Sequence, residues 1–259
     1  RGKPEKFAEH YAQATLFYES QSPVEKAHIA AAFRFELSKV GVPAIRERMV
    51  ASLVNASPEL AAKVADGLGI NVPAALPKAL DKASAPEIKK SPALSLLALP
   101  GECGIRTRQI AIVVANGVVR SPLAAVQASL VEAGAVVHWV GPRVGMFNAD
   151  EGTIEANKSM ENAPSVLFDA LVLPDGESAI EILAADGRTM EYIKDQFRHC
   201  KAMLAFGAAR QLLERAGIDV SSEGVIVAAS ADAANAAEEF IGAIKAHRQL
   251  SRDSDPPRI

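Results

Sequence analysis

From residue 109 onward, short β-branched runs alternate with stretches of helical period, and this alternation constrains the fold more than any other feature. QIAIVVA (109–115), AVVHWVG (135–141), DALVLPDG (169–176), MLAFGA (203–208) and GVIVAAS (224–230) are strand-length and rich in residues that suit a pleated sheet. Helical stretches such as Ser121 to Gly134 lie between them. Such alternation predicts βαβ units, and so an α/β domain built on a parallel sheet with helices on both faces. The piece from Met146 to Met160, with Asn148, Asp150 and Gly152, is expected to form a hairpin or loop excursion. Residues His247 to Ile259 are polar, carry Pro256 and Pro257, and read as a loose end.

The first part of the chain has a different period. Phe7, Tyr11, Ala14 and Tyr18 form one helical stripe. In the next segment, Ser22-Pro23-Val24-Glu25 is a capping box with Pro at the first helical position, and Gly41 is the expected stop. Val24, Ala27, Ala31 and Phe35 line one face of that helix, while Ile29, Phe33, Leu37 and Val40 line the opposite face. A helix apolar on both sides must be buried on both sides. A third helix is expected from Pro43 to Asn55, and Ser57-Pro58 opens a fourth that ends at Gly69. A block ending there is too small to bury all the apolar surface it presents, so a partner surface is expected. From Ile70 to Arg108 come Pro73, Pro77, Pro86, Pro92 and Pro100 without sustained periodicity, as in a linker crawling over a surface. The expected organisation is a helical segment over 1–69, a linker over 70–108, an α/β domain over 109–247 and a polar tail over 248–259.

Composition excludes several function classes. The net charge of −3 is spread without a basic stripe, so no nucleic-acid partner is expected. No apolar run is long enough to span a bilayer, and no secretory leader is visible. Cys103 and Cys200 lie outside any metal spacing and fit a reducing, cytoplasmic compartment. An opening at Arg1 directly before a helix is expected of a fragment or processed product. His10, His28, His138, His199 and His247 include no i, i+4 pair with a third acidic ligand, so no metal site is expected. Asp150-Glu151 and Glu238-Glu239 read as solvated faces.

The blocks AQATLFYESQSPVEKAHIAAAFRFELSKV and AIRERMVASLVNASPELAAKVADGLGI resemble the helical segment that follows the haem barrel in large-subunit catalases of the hydroperoxidase II type. SPALSLL, GIRTRQIAIVVANGV, PSVLFDALVLPDG and FRHCKAMLAFGAARQLLERAGI resemble the flavodoxin-like C-terminal domain of the same enzymes. The resemblance implies a doubly wound parallel sheet preceded by an all-α block, with a haem barrel and the other subunits of a homotetramer as partners. It also implies that the haem belongs to the parent enzyme, which disproportionates hydrogen peroxide to water and oxygen. The axial tyrosine and the distal histidine and asparagine of that family lie in the barrel. Tyr11, Tyr18 and Tyr192 match none of their contexts, and no catalytic, cofactor-binding or metal-ligating residue is assigned to this chain.

Within the α/β domain, MLAFGAARQLLERAGI also resembles the strand-to-helix elbow of the class I amidotransferase-like superfamily, where a cysteine is the nucleophile. Matching Gln211-Leu212-Leu213 and Ala216-Gly217 puts Gly207 at the cysteine's position and Ala208 where a histidine often follows. No carboxylate stands in Asn116-Gly117-Val118-Val119-Arg120, where an acidic residue usually tunes that cysteine. Pro174-Asp175-Gly176 matches the oxyanion loop, except that Asp175 replaces a glycine and would repel a developing negative charge. The elbow is read as vestigial. Cys200 precedes it at the entry to the strand, where His199 and Cys200 on extended chain would point to opposite sides, so a buried structural thiol is expected. Cys103, in the linker, is expected to be exposed and open to incidental oxidation. The alternatives to a catalase accessory region are a holding chaperone for unfolded client proteins, motivated by the excess apolar surface, and a degraded amidotransferase-like hydrolase or glyoxalase.

Overall fold

A computed structural model describes residues 2, 4–80, 86–98 and 104–259. Cys103, expected to be exposed, lies outside the described residues. The chain forms two compact units, 1–101 and 102–259.

In the first unit a 3₁₀ turn (Glu5–Ala8) precedes α1 (Ala12–Ser20), α2 (Pro23–Ser38), α3 (Pro43–Ala56) and α4 (Pro58–Gly67). The stripe predicted from Phe7 to Tyr18 does not lie on one helix. The Glu9 carboxylate accepts the N–H groups of Tyr11 and Ala12 at 2.8 and 3.1 Å, so α1 starts there and Phe7 stays in the turn, 64% exposed. The capping box of α2 forms: Ser22 Oγ accepts the Glu25 N–H at 3.3 Å, and Glu25 Oε2 accepts the Ser22 N–H at 2.8 Å. This helix ends at Ser38 rather than at Gly41, because its last turn tightens into bonds from Lys39 N–H to the Glu36 carbonyl and from Val40 N–H to the Leu37 carbonyl.

Tyr18, Leu37, Val50, Leu60 and Val64 form the core of this unit, with Ile29, Phe33 and Val40 packed against it. That face of α2 is covered, and on the other Val24 and Ala31 are half-buried. On the opposite face Ala27 is exposed and Phe35 is 62% exposed. Burying a side chain the size of phenylalanine is worth about 1.5–3 kcal/mol, a gain this unit alone leaves unrealised.

Glu25 also fastens the segment 91–98. Its carboxylate accepts the Ser95 hydroxyl at 2.8 Å and the Leu97 N–H at 3.2 Å, while Ser20 Oγ accepts the Ser91 N–H at 2.9 Å. Burial would raise the Glu25 carboxyl, but the bonds from Ser22, Ser95 and Leu97 outweigh it and hold it at about 2. Its folded value lies below its unfolded one, so the stabilisation is present above about pH 4.5 and is lost as pH falls toward 2. Glu25→Ala is expected to cost about 1 kcal/mol through the lost cap. Hydrogen exchange at Leu97 and Ala98 should accelerate in the variant; unchanged protection there would refute the tie.

The second unit holds a parallel sheet in the order β5-β2-β1-β6-β7-β8, formed by Lys158–Ser159, Val136–Gly141, Gln109–Val113, Ala170–Leu173, Ala202–Phe206 and Val225–Ala228. Strands β6 and β7 are buried along their whole length, which explains their continuous apolar runs. Helices α5 (Arg120–Glu132) and α9 (Ala233–Lys245) pack on each other, while α6 (Glu177–Ala185), α7 (Gly187–Arg198) and α8 (Arg210–Arg215) form a separate layer. This is the parallel sheet expected from the alternation, in the flavodoxin-like, doubly wound arrangement that the resemblance implies. The excursion before β5 is a hairpin of β3 (Gly145–Asn148) and β4 (Thr153–Ala156).

In this second unit two further expectations fail. The end of the chain is docked rather than loose. Gln249 is buried and donates its N–H to the Cys200 carbonyl at 2.7 Å, and Arg252 donates to the Lys201 carbonyl at 2.6 Å while stacking over Phe197. These groups satisfy carbonyls left open after α7. Nor does Cys200 lie on extended chain. It occupies the left-handed position after α7 at φ +58°, with its N–H on the Phe197 carbonyl and the Lys201 N–H on the Gln196 carbonyl, the Schellman pattern.

Candidate functional site

In a doubly wound sheet the turns that leave the carboxyl ends of the strands converge, and any chemistry is expected there. The turns after β1 and β6 close on each other. Val119 donates its N–H to the Asp175 carbonyl at 3.0 Å, and Gly176, at φ +117°, lies so near the Gly117 carbonyl that a Cβ would overlap it. Only glycine fits there. The β3–β4 hairpin lies over the same end, since Gly117 N–H donates to the Asn148 carbonyl at 2.7 Å and Val118 bridges to Ala149. Asp150, read from the sequence as part of a solvated face, has a structural task as well. Its Oδ1 accepts the Arg120 N–H at 2.9 Å and supplies α5 with the cap that the Val119 side chain cannot provide.

The Asp175 side chain reaches into the elbow itself. Its Oδ1 accepts the N–H groups of Ala208 at 2.9 Å and of its neighbour Gly176 at 2.8 Å, and its Oδ2 accepts the Ser230 hydroxyl at 2.6 Å. Burial alone would raise this carboxyl; the bonds from Ser230, Ala208 and Gly176 outweigh it and hold it below its ordinary value. Gly207 stands at φ +46°, and a Cβ there would overlap the Asp175 carboxylate. The space and donors that an elbow nucleophile and its oxyanion would use are taken by the chain's own carboxylate. Asp175 thus does more than repel negative charge, as the sequence suggested: it supplies that charge permanently.

Ser230 is the member of this constellation that sequence reasoning missed. It was visible only as the end of the run GVIVAAS, and no spacing rule links it to Asp175. In Asn116–Arg120, where no carboxylate stands, Asn116 Oδ1 instead accepts the Asn148 N–H at 2.9 Å.

Within this unit His138 and Cys200 take no part in the elbow. His138 shares a 2.8 Å hydrogen bond with Gln109 Oε1 and meets Phe168 edge-on, and burial lowers its imidazole. Among the described residues, no group of three or more His, Cys, Asp or Glu could hold a metal ion. No described helix is long and apolar enough to cross a membrane. The Cys200 thiol is buried and pushed up by that burial. In native protein at pH 7 its peptide is expected to escape iodoacetamide labelling at least 100-fold longer than after denaturation. Equal rates would overturn the structural assignment.

Residues 4–68 match the family described as catalase-related immune-responsive, and residues 106–254 match the C-terminal domain found in long catalases. Catalase C of Rhizobium meliloti (strain 1021) is 39% identical over 249 residues, covering 95% of this chain and 35% of that protein. Catalase HPII of Pseudomonas aeruginosa is 36% identical over 234 residues, covering 89% and 32%. Catalase-1 of Neurospora crassa is 32% identical over 281 residues, covering 98% and 37%. The chain spans about a third of the length of these relatives. It is a catalase C-terminal region, and it belongs to the family of the C-terminal domain found in long catalases.

Proposed function

We propose that this chain is the non-catalytic accessory region of a long haem catalase, serving to stabilise the subunit and its tetramer. The observation that carries the reading is the filled elbow: Gly207 offers no nucleophile, and Asp175 occupies the donors that a reaction would need. The parent's reaction, disproportionation of peroxide, takes place at a haem held outside the residues present here.

The tyrosines of this chain do not fit that haem. A catalase axial ligand is a tyrosine oxygen bound to iron. Tyr18 and Tyr192 are both buried, and burial raises both phenols, which opposes the phenolate a metal favours. Tyr11, at the mouth of α1, is engaged locally, with His10 edge-on at 6.5 Å and Lys78 over its ring. The contribution of this chain is surface and fold. The exposed Phe35 face of α2 supports docking of the helical block on the haem-bearing part.

Two measurements test this reading. The purified chain is expected to show no Soret band and no peroxide turnover. A long catalase deleted of the segment matching this chain is expected to unfold at lower temperature and to dissociate at lower dilution. Turnover by the chain, or unchanged stability of the deleted enzyme, would overturn it. The exposed Phe7, Phe17 and Phe35 also motivate a holding activity toward unfolded clients. Suppressed aggregation of a heated client at equimolar chain would move the reading there.

A further inference from the structure

Asn116 is the one asparagine of this chain that a glycine follows. The pair forms the turn after β1, with Asn116 exposed and Gly117 at φ +90°, a conformation that suits glycine. Asparagine before glycine is the pair most prone to lose its side-chain amide, because no Cβ shields the following main-chain nitrogen from the asparagine Cγ. That nitrogen attacks only once its N–H has left its acceptor.

Here one residue of the β3–β4 hairpin holds both reacting groups. Gly117 N–H donates to the Asn148 carbonyl at 2.7 Å, and Asn148 N–H donates to Asn116 Oδ1 at 2.9 Å. The hairpin is fastened again just beyond that contact. Val118 bridges to Ala149, and Asp150 N–H donates to the Val118 carbonyl at 2.9 Å. Asp150 Oδ1 in turn accepts the Arg120 N–H at 2.9 Å. The engaged N–H keeps the nitrogen protonated, and the engaged Oδ1 keeps the side chain on the hairpin. Water has access to the exposed Asn116, so release of the hairpin is the step that limits reaction.

We propose that Asn116 is a site of spontaneous deamidation, held latent by the β3–β4 hairpin and unlocked when the hairpin lifts. In that step the Gly117 nitrogen bonds to Asn116 Cγ and the bond from Cγ to Nδ2 breaks. The amide leaves as ammonia, taking the proton of the Gly117 N–H, and water then opens the five-membered imide. Opening at the side-chain carbonyl leaves aspartate, which still accepts the Asn148 N–H. Opening at the main-chain carbonyl leaves isoaspartate, which adds a methylene to the main chain before Gly117. The Gly117 carbonyl packs against Gly176 so closely that a Cβ there would overlap it, so the longer chain is expected to part the turns after β1 and β6.

Incubating the 259-residue chain at pH 8, native and unfolded in guanidinium chloride, tests the proposal by peptide mass mapping. Product at Asn116 is expected to accumulate at least about ten-fold more slowly in the native chain, because only the locally opened fraction reacts. Exchange and deamidation free the same N–H. The protection of Gly117 against hydrogen exchange is therefore expected to match the deamidation factor to within about three-fold. Asp150→Ala, which removes the hairpin's hold on Arg120, is expected to change both protections by one factor; unaltered circular dichroism would show that it does so without unfolding the chain. If this variant misfolds, the comparison within the parent chain still decides. Equal rates in native and unfolded chain, a Gly117 protection unlike the deamidation factor, or one protection changing without the other would overturn the proposal.

Discussion

Replacing Asp175 by alanine is expected to lower the stability of the α/β unit by about 2 kcal/mol, through loss of charge-assisted bonds that tie three turns together. For a unit of this size the expected fall in Tm is about 4–8 °C. The partners come from far apart in sequence: Ala208 N–H and the Ser230 hydroxyl lie 33 and 55 residues from Asp175. The variant therefore loosens the ends of β6, β7 and β8 at once. The sign of the pH dependence follows from the direction of the shift. Asp175 titrates lower in the folded chain than in the unfolded one, so its contribution is complete above about pH 4 and is lost as pH falls through the folded value. Urea unfolding of parent and variant should differ at pH 7 and converge as the pH falls through the lowered folded value. Curves that coincide at pH 7 would show that the carboxylate is only a bystander.

Much of the fold was legible because it follows from local and periodic rules. Buried β6 and β7 read as unbroken apolar runs, the Ser22–Glu25 box marks the start of α2, and Asn148, Asp150 and Gly152 mark the hairpin. The failures share a cause of a different kind. Glu9 started α1 by capping it with a side chain, which moved Phe7 off the helix. The end of the chain docks because Gln249 and Arg252 reach carbonyls at the end of α7, contacts that hydropathy and proline content do not report. Cys200 took a left-handed position that residue type would assign to glycine. At the elbow, the resemblance pointed to a nucleophile expected at position 207 and an acid expected after β1, neither of which this chain carries. It could not show that Asp175 had filled the gap, because that depends on where Ser230 and Ala208 arrive in space.

Restoring the missing nucleophile is the sharpest test of that filling. Gly207→Cys is expected to cost about 3–4 kcal/mol, of which about 1–2 is the left-handed backbone imposed on a residue with a Cβ. The remainder is the eviction of the Asp175 carboxylate from its donors. Asp175→Gly alone forfeits those same bonds. In the double variant the loss is counted once, so its cost should fall short of the sum of the singles by about 1–2 kcal/mol, well beyond the additivity expected of independent sites. Simple additivity would mean that the introduced thiol and the Asp175 carboxylate do not compete for one space. In the double variant the thiol faces the freed Ala208 N–H, which favours the thiolate and should make it react with iodoacetamide at pH 7, unlike buried Cys200. Hydrolysis should still not appear. Ala208 carries no imidazole, and Asn116–Arg120 carries no carboxylate to orient one, so a reactive thiol would stand without the base and acid that turn alkylation chemistry into turnover.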